Sequence, residues 1–390
     1  MEILWFGIVA FMIAMYVILD GFDLGAGILH LFVARSEEER RTVLGAIGPV
    51  WDGNEVWLLA AGGTLYFAFP LLYASSFSGF YLPLMIVLWL LMLRGLGIEL
   101  RHHVDHPMWK AFWDSTFSIG SLLLAIFFGA ALGNVVRGVP LNADGYFFEP
   151  LWTTFTVVPE AGILDWFTVI MGLVALTTLT VHGGNYLAMK TEGPVQERAR
   201  MVAGIAWWGL LLTAIASLVS ASAIRPEIWT NFSEHPWGYF FPVLGLAGLL
   251  GMVVFNKKKA DMKAFLSSTA FIAGMLASTA FGLFPNVLPA STNPAYSLTV
   301  YNTAAHSYGL RVGIVWWTIG IGIALGYFTY LFFSFRGKVK VQADSEGWAC
   351  LHYLVTLRLN ITSLLPQSNP FSPGADRRPT SFSQRLSECS

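Results

Sequence analysis

The sequence predicts an all-α protein that crosses a membrane several times. Of its 390 residues, 55% are hydrophobic and only 12% are charged, whereas a water-soluble domain carries about 25% charged residues. The apolar residues also occur in long stretches, and a spanning helix needs about 20 of them. This composition excludes an ordinary soluble enzyme. A formal net charge of -1, without a basic domain, gives no indication of a nucleic-acid partner.

Nine stretches are long and apolar enough to be spanning helices, and they predict two four-helix bundles plus one peripheral helix. The first stretch is longer than a membrane core of about 30 Å requires, so it has to tilt or protrude. The nine predicted spans are Ile3–Val33, Ala46–Pro70, Ser76–Glu99, Phe117–Val135, Ile163–Met189, Met201–Ala223, Trp237–Phe255, Phe265–Phe284 and Leu310–Phe335.

The charges between these spans indicate the orientation of the chain. Basic residues concentrate in cytoplasmic loops, and here sixteen of them fall on one side and three on the other. The amino terminus is therefore predicted outside and the carboxy terminus inside. The sixteen are Arg35, Arg40, Arg41, Arg94, Arg101, Lys110, Lys190, Arg198, Arg200, Lys257, Lys258, Lys259, Lys263, Arg336, Lys338 and Lys340, and the three are Arg137, Arg225 and Arg311.

The composition changes near the carboxy terminus. Residues 1–340 form the predicted membrane domain, and residues 341–390 are rich in Ser, Pro and Arg, which predicts a mostly disordered cytoplasmic tail. Both cysteines, Cys350 and Cys389, lie in this tail. Two outer connections, around Arg137–Gly162 and Pro285–Ser307, contain Pro, Asn, Gly and aromatic residues and are predicted to be ordered at the membrane surface.

Four acids fall inside predicted spans, where a charge costs about 2.5–3.5 kcal/mol. Asp20 and Asp23 share one face of the first span, as Asp52 and Glu55 share one face of the second. Both pairs lie at similar depth from the cytoplasmic side, so we expect one polar cluster in low-dielectric surroundings. Either these acids carry protons inward, or they form a structural network that pairs with Arg94.

Other polar and small residues at span ends leave two interpretations each. Arg94 either extends to the membrane surface or supplies a counter-charge to the acids. His30 and His182 lie toward the same side, so they either ligate a haem together or are hydrogen-bonded structural histidines. Gly21 and Gly25 form a GxxxG step that allows close approach of another helix.

A short internal similarity links the ends of two spans. The sequence DGFDLGAG ends the first span at Asp20–Gly27, and GGNYLAM ends the fifth at Gly183–Met189. The similarity either marks two related four-helix halves or reflects the frequent recurrence of Gly-rich helix ends.

One motif resembles a known family. The segment GPVWDGNEVWLL at Gly48–Leu59 is similar to the signature of subunit II of cytochrome bd-type quinol oxidases. DGFDLGAG at Asp20–Gly27, LRGLGIELRHH at Leu93–His103 and FPNVLPAST at Phe284–Thr292 resemble other segments of the same family. The resemblance covers about Met1–Lys340 in order and spacing.

The resemblance implies a function that the residues alone do not. It implies a bacterial inner-membrane oxidase that oxidises quinol at the outer face and reduces oxygen to water with cytoplasmic protons. Two haems b and one haem d would be held mainly or wholly by a larger subunit I, with a small accessory subunit, lipid and quinone as further partners. The matched positions are Trp51, Asp52, Gly53, Asn54, Glu55 and Trp57 in the signature, Asp20 and Asp23 in the first span, and Arg94 and Arg101 in the third.

Two other functions are compatible with the residues. A proton-coupled secondary transporter also tolerates buried acids and internal repeats, although no broken helix pair stands at corresponding places in the two halves. A purely structural subunit would use the acids for assembly only. Asp52 is the residue on which the reasoning from depth and the family resemblance agree.

Overall fold

The computed structural model describes residues 1–339, and these residues are mainly helical. The predicted tail and both cysteines lie outside the described residues. The helices are α1 (Glu2–Val33), α2 (Glu37–Ile47), α3 (Trp51–Ala68), α4 (Pro70–Gly79), α5 (Tyr81–Leu100), α6 (Pro107–Arg137), α7 (Trp166–Lys190), α8 (Gly193–Ile224), α9 (Ile228–Glu234), α10 (Phe240–Lys257), α11 (Asp261–Leu283) and α12 (Ser307–Ser334). This architecture confirms the predicted all-α membrane fold.

Within residues 1–339, eight helices are long and apolar enough to cross a membrane. They coincide with eight of the nine predicted spans. The remaining predicted span, Ala46–Pro70, coincides with α3, whose 18 residues begin with a polar turn that lowers its hydropathy. The fourth span was predicted too short, because α6 begins at Pro107 rather than Phe117.

The predicted start of the second span, Ala46, is wrong. Residues 37–47 form the separate helix α2, which begins with a capping box between Ser36 and Glu39. A turn at residues 48–50 separates α2 from α3. The buried residues of α2, among them Val43 and Ile47, pack against the predicted cytoplasmic ends of α1, α7 and α8.

The spans form two groups that meet through α1, α6 and α7. Helices α1, α3, α5 and α6 pack together, as do α7, α8, α10 and α11, and α1 packs against α7 between the groups. At this crossing a Cβ added to Gly25 would lie 2.7 Å from the Cα of Gly183. The predicted close approach at the GxxxG step is therefore confirmed, and the two Gly-rich segments contact each other.

Helix α12 is the peripheral helix. Its most apolar window has no buried residues, and an apolar cavity of about 490 Å³ is lined by residues of α1, α3 and α12. Beside this cavity α12 still contacts α3, because the rings of Trp57 and Phe328 lie 5.6 Å apart and Phe67 lies against Gly313. The side of α3 next to α12 is therefore only partly covered by this chain.

The predicted outer side carries the ordered connections that the sequence indicated. Strands β1 (Asn286–Leu288) and β2 (Leu298–Thr299) pair antiparallel, and Val139 of the other connection bridges to Ala290. Ser291 also donates a hydrogen bond of 2.5 Å to the carbonyl of Pro159. The two connections thus hold each other in place.

Candidate functional site

The first feature of the site is a buried ion pair between α1 and α5. Asp20 accepts hydrogen bonds from Nη1 and Nη2 of Arg94, at 2.7 and 2.5 Å, and both side chains are fully buried. Burying a carboxylate and a guanidinium is tolerated when they are paired and hydrogen-bonded in this bidentate way. Arg94 is therefore the counter-charge of the acids. The alternative that it reaches the membrane surface is wrong, and so is its count among the loop charges.

Asp23 lies one helical turn further along α1 and has a neutral partner. Nδ2 of Asn54 donates to its Oδ2 at 2.8 Å, and both residues are buried. The second carboxylate oxygen of Asp23 accepts no hydrogen bond from the described residues. Asp23 is thus a buried acid close to Arg94 but not directly bonded to a cation, which is the environment expected of a group that changes protonation state.

The two acids of α3 lie in different surroundings from those of α1. Glu55 is half-buried, whereas Asp52 is exposed on the surface of this chain. The carboxylate of Asp52 accepts the backbone N–H of Gly53 at 2.7 Å, and Gly53 itself packs near Tyr327 and Phe328 of α12. The predicted polar cluster is therefore only partly enclosed by this chain. Glu55 lies within electrostatic reach of Asp20 and Arg94, whereas Asp52 faces outward from α3 while Asp20 and Asp23 face inward from α1.

The aromatic residues of the signature support α3 in its place. Trp57 is buried and forms an edge-to-face contact with Phe11. The ring of Trp51 packs beside Gly95 of α5, where an added Cβ would lie 3.5 Å from it. These contacts fix the rotation of α3, so that Asn54 points toward α1 and Asp52 points away from it.

A second polar cluster lies nearer the predicted cytoplasmic end, around Asp114 of α6. Its Oδ1 faces Nε2 of His30 at 2.7 Å and accepts from Nε of Arg101 at 2.5 Å. Its Oδ2 accepts from Arg40 at 3.0 Å. His30, Arg101 and Asp114 are all buried. Sequence reasoning missed Asp114 because it began the fourth span at Phe117; the proline at the start of α6, Pro107, was the available signal.

Glu37 connects this cluster to the surface. It accepts two hydrogen bonds from Arg101, at 3.1 and 2.7 Å, and its side chain is 40% exposed. Partial burial acts to raise the pKa of Glu37, but its hydrogen bonds and the charge of Arg101 outweigh this and hold its pKa below the usual value. Glu37 therefore stays ionised at neutral pH and anchors the guanidinium of Arg101.

The predicted outer side contains a third buried cluster, around Arg137 at the end of α6. Its guanidinium donates to Glu149 at 2.7 Å and to Asn134 at 2.7 Å, and it also pairs with Asp165, the N-cap of α7. Burial raises the pKa of Glu149 to about 8 against the opposing charge of Arg137, and Asp165 adds to the rise. At neutral pH Glu149 is therefore mostly protonated, which leaves one carboxylate for one guanidinium.

His30 and His182 are not arranged to hold a haem together. His182 has both ring nitrogens engaged, with Ser268 at 2.7 Å and with the carbonyl of Ile18 at 2.9 Å, and its ring stacks on Phe265. A haem held jointly by His30 and His182 would require breaking these bonds and the contact of His30 with Asp114. In the described part of the chain, no group of three or more His, Cys, Asp or Glu side chains is arranged to hold a metal ion.

Comparison with known proteins assigns this chain to a family. The family described as cytochrome bd terminal oxidase subunit II matches residues 1–335. The chain belongs to this family. Its relatives include a probable cytochrome oxidase subunit 2 of Haemophilus influenzae, 32% identical over 88% of this chain and 96% of the relative. The cytochrome bd ubiquinol oxidase subunit 2 of Bacillus subtilis is 33% identical over 86% and 96%.

A solved structure shows the same fold. The bd oxidase from Geobacillus thermodenitrificans aligns with a TM-score of 0.68 at 17% identity, covering 86% of this chain and 98% of that one. Family membership confirms the resemblance drawn from the WDGN signature and sets aside the secondary transporter.

Proposed function

We propose that this chain is subunit II of a quinol:oxygen oxidoreductase in a bacterial inner membrane, and that it delivers protons to the oxygen-reducing centre. Its relatives are ubiquinol oxidase subunits by name. The haems b and d would be held by a larger subunit I, because the two candidate histidines here are committed to other partners. Quinol oxidation supplies the electrons, and reduction of oxygen to water consumes protons as well.

The observation that carries this proposal is the placement of Asp52. It is exposed on α3 beside Val56 and Leu59, which are 53% and 74% exposed. The apolar neighbours of Asp52 suit either a protein interface or a lipid-facing surface. A carboxylate facing lipid would cost about 2.5–3.5 kcal/mol, so the protein interface is favoured. This side of α3 is therefore where the haem-bearing subunit would cover Asp52 and receive its proton.

The buried acids of α1, which lie behind α3, are placed to pass protons to Asp52. Glu55 lies one turn from Asp52, is half-buried and is within electrostatic reach of both Asp20 and Arg94. Asp20, Asp23 and Arg94 thus form a polar region behind the exposed acid. In the orientation favoured by the basic residues, this region would open toward the cytoplasm, with the amino terminus outside.

The test compares Asp52→Asn with Asp52→Glu in the assembled complex. Asn keeps the size and hydrogen-bonding capacity of Asp52 but does not exchange a proton, whereas Glu keeps a titratable group displaced by one methylene. We expect the Asn variant to lose most quinol-dependent oxygen consumption per haem d and the Glu variant to retain part of it.

The matched control is Glu192→Gln, the same loss of a carboxylate at an exposed position before α8; its turnover should be unchanged. Wild-type turnover per haem d in the Asp52→Asn variant would refute the proton-delivery role. Activity that falls only in step with lost haem d would instead assign Asp52 a structural role.

A further inference from the structure

Four buried polar atoms without a hydrogen-bond partner among the described residues lie along one face of α1. They are Oδ1 of Asp23 and Nδ1 of His30 on α1 itself, together with Oδ1 of Asn54 and Nε of Arg94 from the helices beside it. Buried polar atoms are rarely left unsatisfied and are commonly met by ordered water. Asp23 and His30 are seven residues apart, two helical turns or roughly 10 Å along the axis.

A hydroxyl group lies between these two positions. Ser121 of α6 is fully buried, and a Cβ added to Gly27 would lie 2.1 Å from its Oγ. Gly27 is one turn from both His30 and Asp23. Because glycine has no side chain, the Ser121 hydroxyl lies against the same face of α1 as His30 and Asp23. The hydroxyl donates to the carbonyl of Phe117 at 2.8 Å, and its oxygen can still accept a hydrogen bond.

The surroundings of His30 fix which ring nitrogen carries the proton. Its Nε2 faces Asp114, which is held as an anion by Arg101 and Arg40. An ionised carboxylate only accepts hydrogen bonds, so Nε2 is the N–H donor and Nδ1 bears the free lone pair. The charged groups facing the imidazole are Asp114 from α6, Arg101 from the end of α5 and Arg40 from α2.

From this arrangement we infer that His30 is the proton acceptor at the cytoplasmic end of a route inside this chain that leads through Ser121 to Asp23. The inference rests on the proton-delivery function proposed above and adds its entry. A proton from cytoplasmic water binds Nδ1 of neutral His30, and the resulting imidazolium keeps its Nε2–H on Asp114. The proton then leaves Nδ1 through buried water and the Ser121 hydroxyl to the Asp23 carboxylate, which restores neutral His30.

Asp114 is a positioning residue in this route. Its carboxylate orients the imidazole and stabilises the imidazolium, while two guanidinium groups keep the carboxylate itself ionised. Access from the cytoplasm is nearest at Arg40 and Glu37, whose side chains are 29% and 40% exposed. The route therefore begins near the surface of α2, where Arg40 contacts the same carboxylate, Asp114, as the imidazole does.

The experiment is His30→Gln in the assembled complex, with oxygen consumption per haem d followed from pH 6 to pH 8.5. Gln keeps a side-chain N–H for Asp114 but does not accept a proton. We expect turnover to fall about tenfold or more at pH 8 and less at pH 6, where protons are plentiful, because loss of a positioned acid–base group typically costs 10²–10⁴-fold. His103→Gln, the same change at an exposed position of the same side, should leave the pH profile unchanged.

A second variant, Ser121→Ala, keeps the inference testable if His30→Gln does not assemble. It removes only the hydroxyl, and we expect turnover to fall severalfold with haem d intact. Wild-type turnover per haem d in both variants at every pH overturns the inference, and so does an activity loss that only follows lost haem d. Loss in Asp52→Asn alone would leave the proposed function standing and remove this route; loss in His30→Gln alone would retain the route and remove Asp52 from it.

Discussion

The connection between α6 and α7 should open more readily as the pH rises, because it buries a protonated acid. Glu149 is fully buried, and its backbone N–H donates to the carbonyl of Gly79, which ties the connection to the end of α4. When the connection is closed, burial raises the pKa of Glu149 to about 8, whereas an exposed glutamate titrates at 4.5. The closed form therefore holds a proton that the open form releases.

The sign and size of this pH dependence follow from the linkage between proton binding and opening. Between pH 4.5 and pH 8 the open form ionises while the closed form stays protonated, so each pH unit favours opening by about 1.4 kcal/mol. Above pH 8 both forms are ionised and the difference becomes constant. From pH 6 to pH 8 the population of the open form should rise about 50-fold, because the closed form is itself half ionised at pH 8. The full range corresponds to at most roughly 5 kcal/mol.

The assay is hydrogen exchange of the backbone amides of residues 139–164, comparing wild type with Glu149→Gln at each pH so that the intrinsic exchange rate cancels. Gln has the shape of the protonated acid and does not ionise, so its connection should stay closed across the range. Glu160→Gln, at an exposed position of the same connection, is the matched control and should behave as wild type. An identical pH dependence in wild type and Glu149→Gln would refute the reasoning.

Two further predictions concern helix contacts. Gly25→Ala should lower the melting temperature of the complex by several degrees, because its Cβ would lie 2.1 Å from the carbonyl oxygen of Leu179 and overpacking costs about 1–3 kcal/mol or more. The control Gly7→Ala, whose Cβ meets nothing within 4 Å, should leave the melting temperature unchanged. Equal melting temperatures of the two variants would contradict the close contact at Gly25. Arg94→Met should destabilise the complex by about 3–5 kcal/mol, measured by chemical denaturation, because it leaves the buried charge of Asp20 without a counter-charge. Adding Asp20→Asn should recover part of that loss. If the double variant recovers no stability, the unpaired charge of Asp20 is not the cause of the destabilisation.

The sequence by itself determined the fold class and the family of this protein. Long apolar stretches specify spanning helices because a bilayer leaves no other way to satisfy the backbone, and the WDGN signature indicated subunit II of a bd oxidase. The sequence also identified Asp20 and Asp23 as buried acids, since their depth within α1 follows from their distance to its charged end. The GxxxG step predicted a close helix contact, and only its partner was unknown.

Only the tertiary structure decided which polar groups meet. Asp20 pairs with Arg94 across 74 residues, and His30 pairs with Asp114 across 84; such pairings depend on how separate helices pack. Because a turn separates α2 from α3, Asp52 lies on the exposed surface of α3. The predicted continuous span from Ala46 did not indicate this placement. Hydropathy reports whether a segment leaves water, whereas the partner of each buried charge depends on helix rotation and neighbours, which a local pattern does not encode.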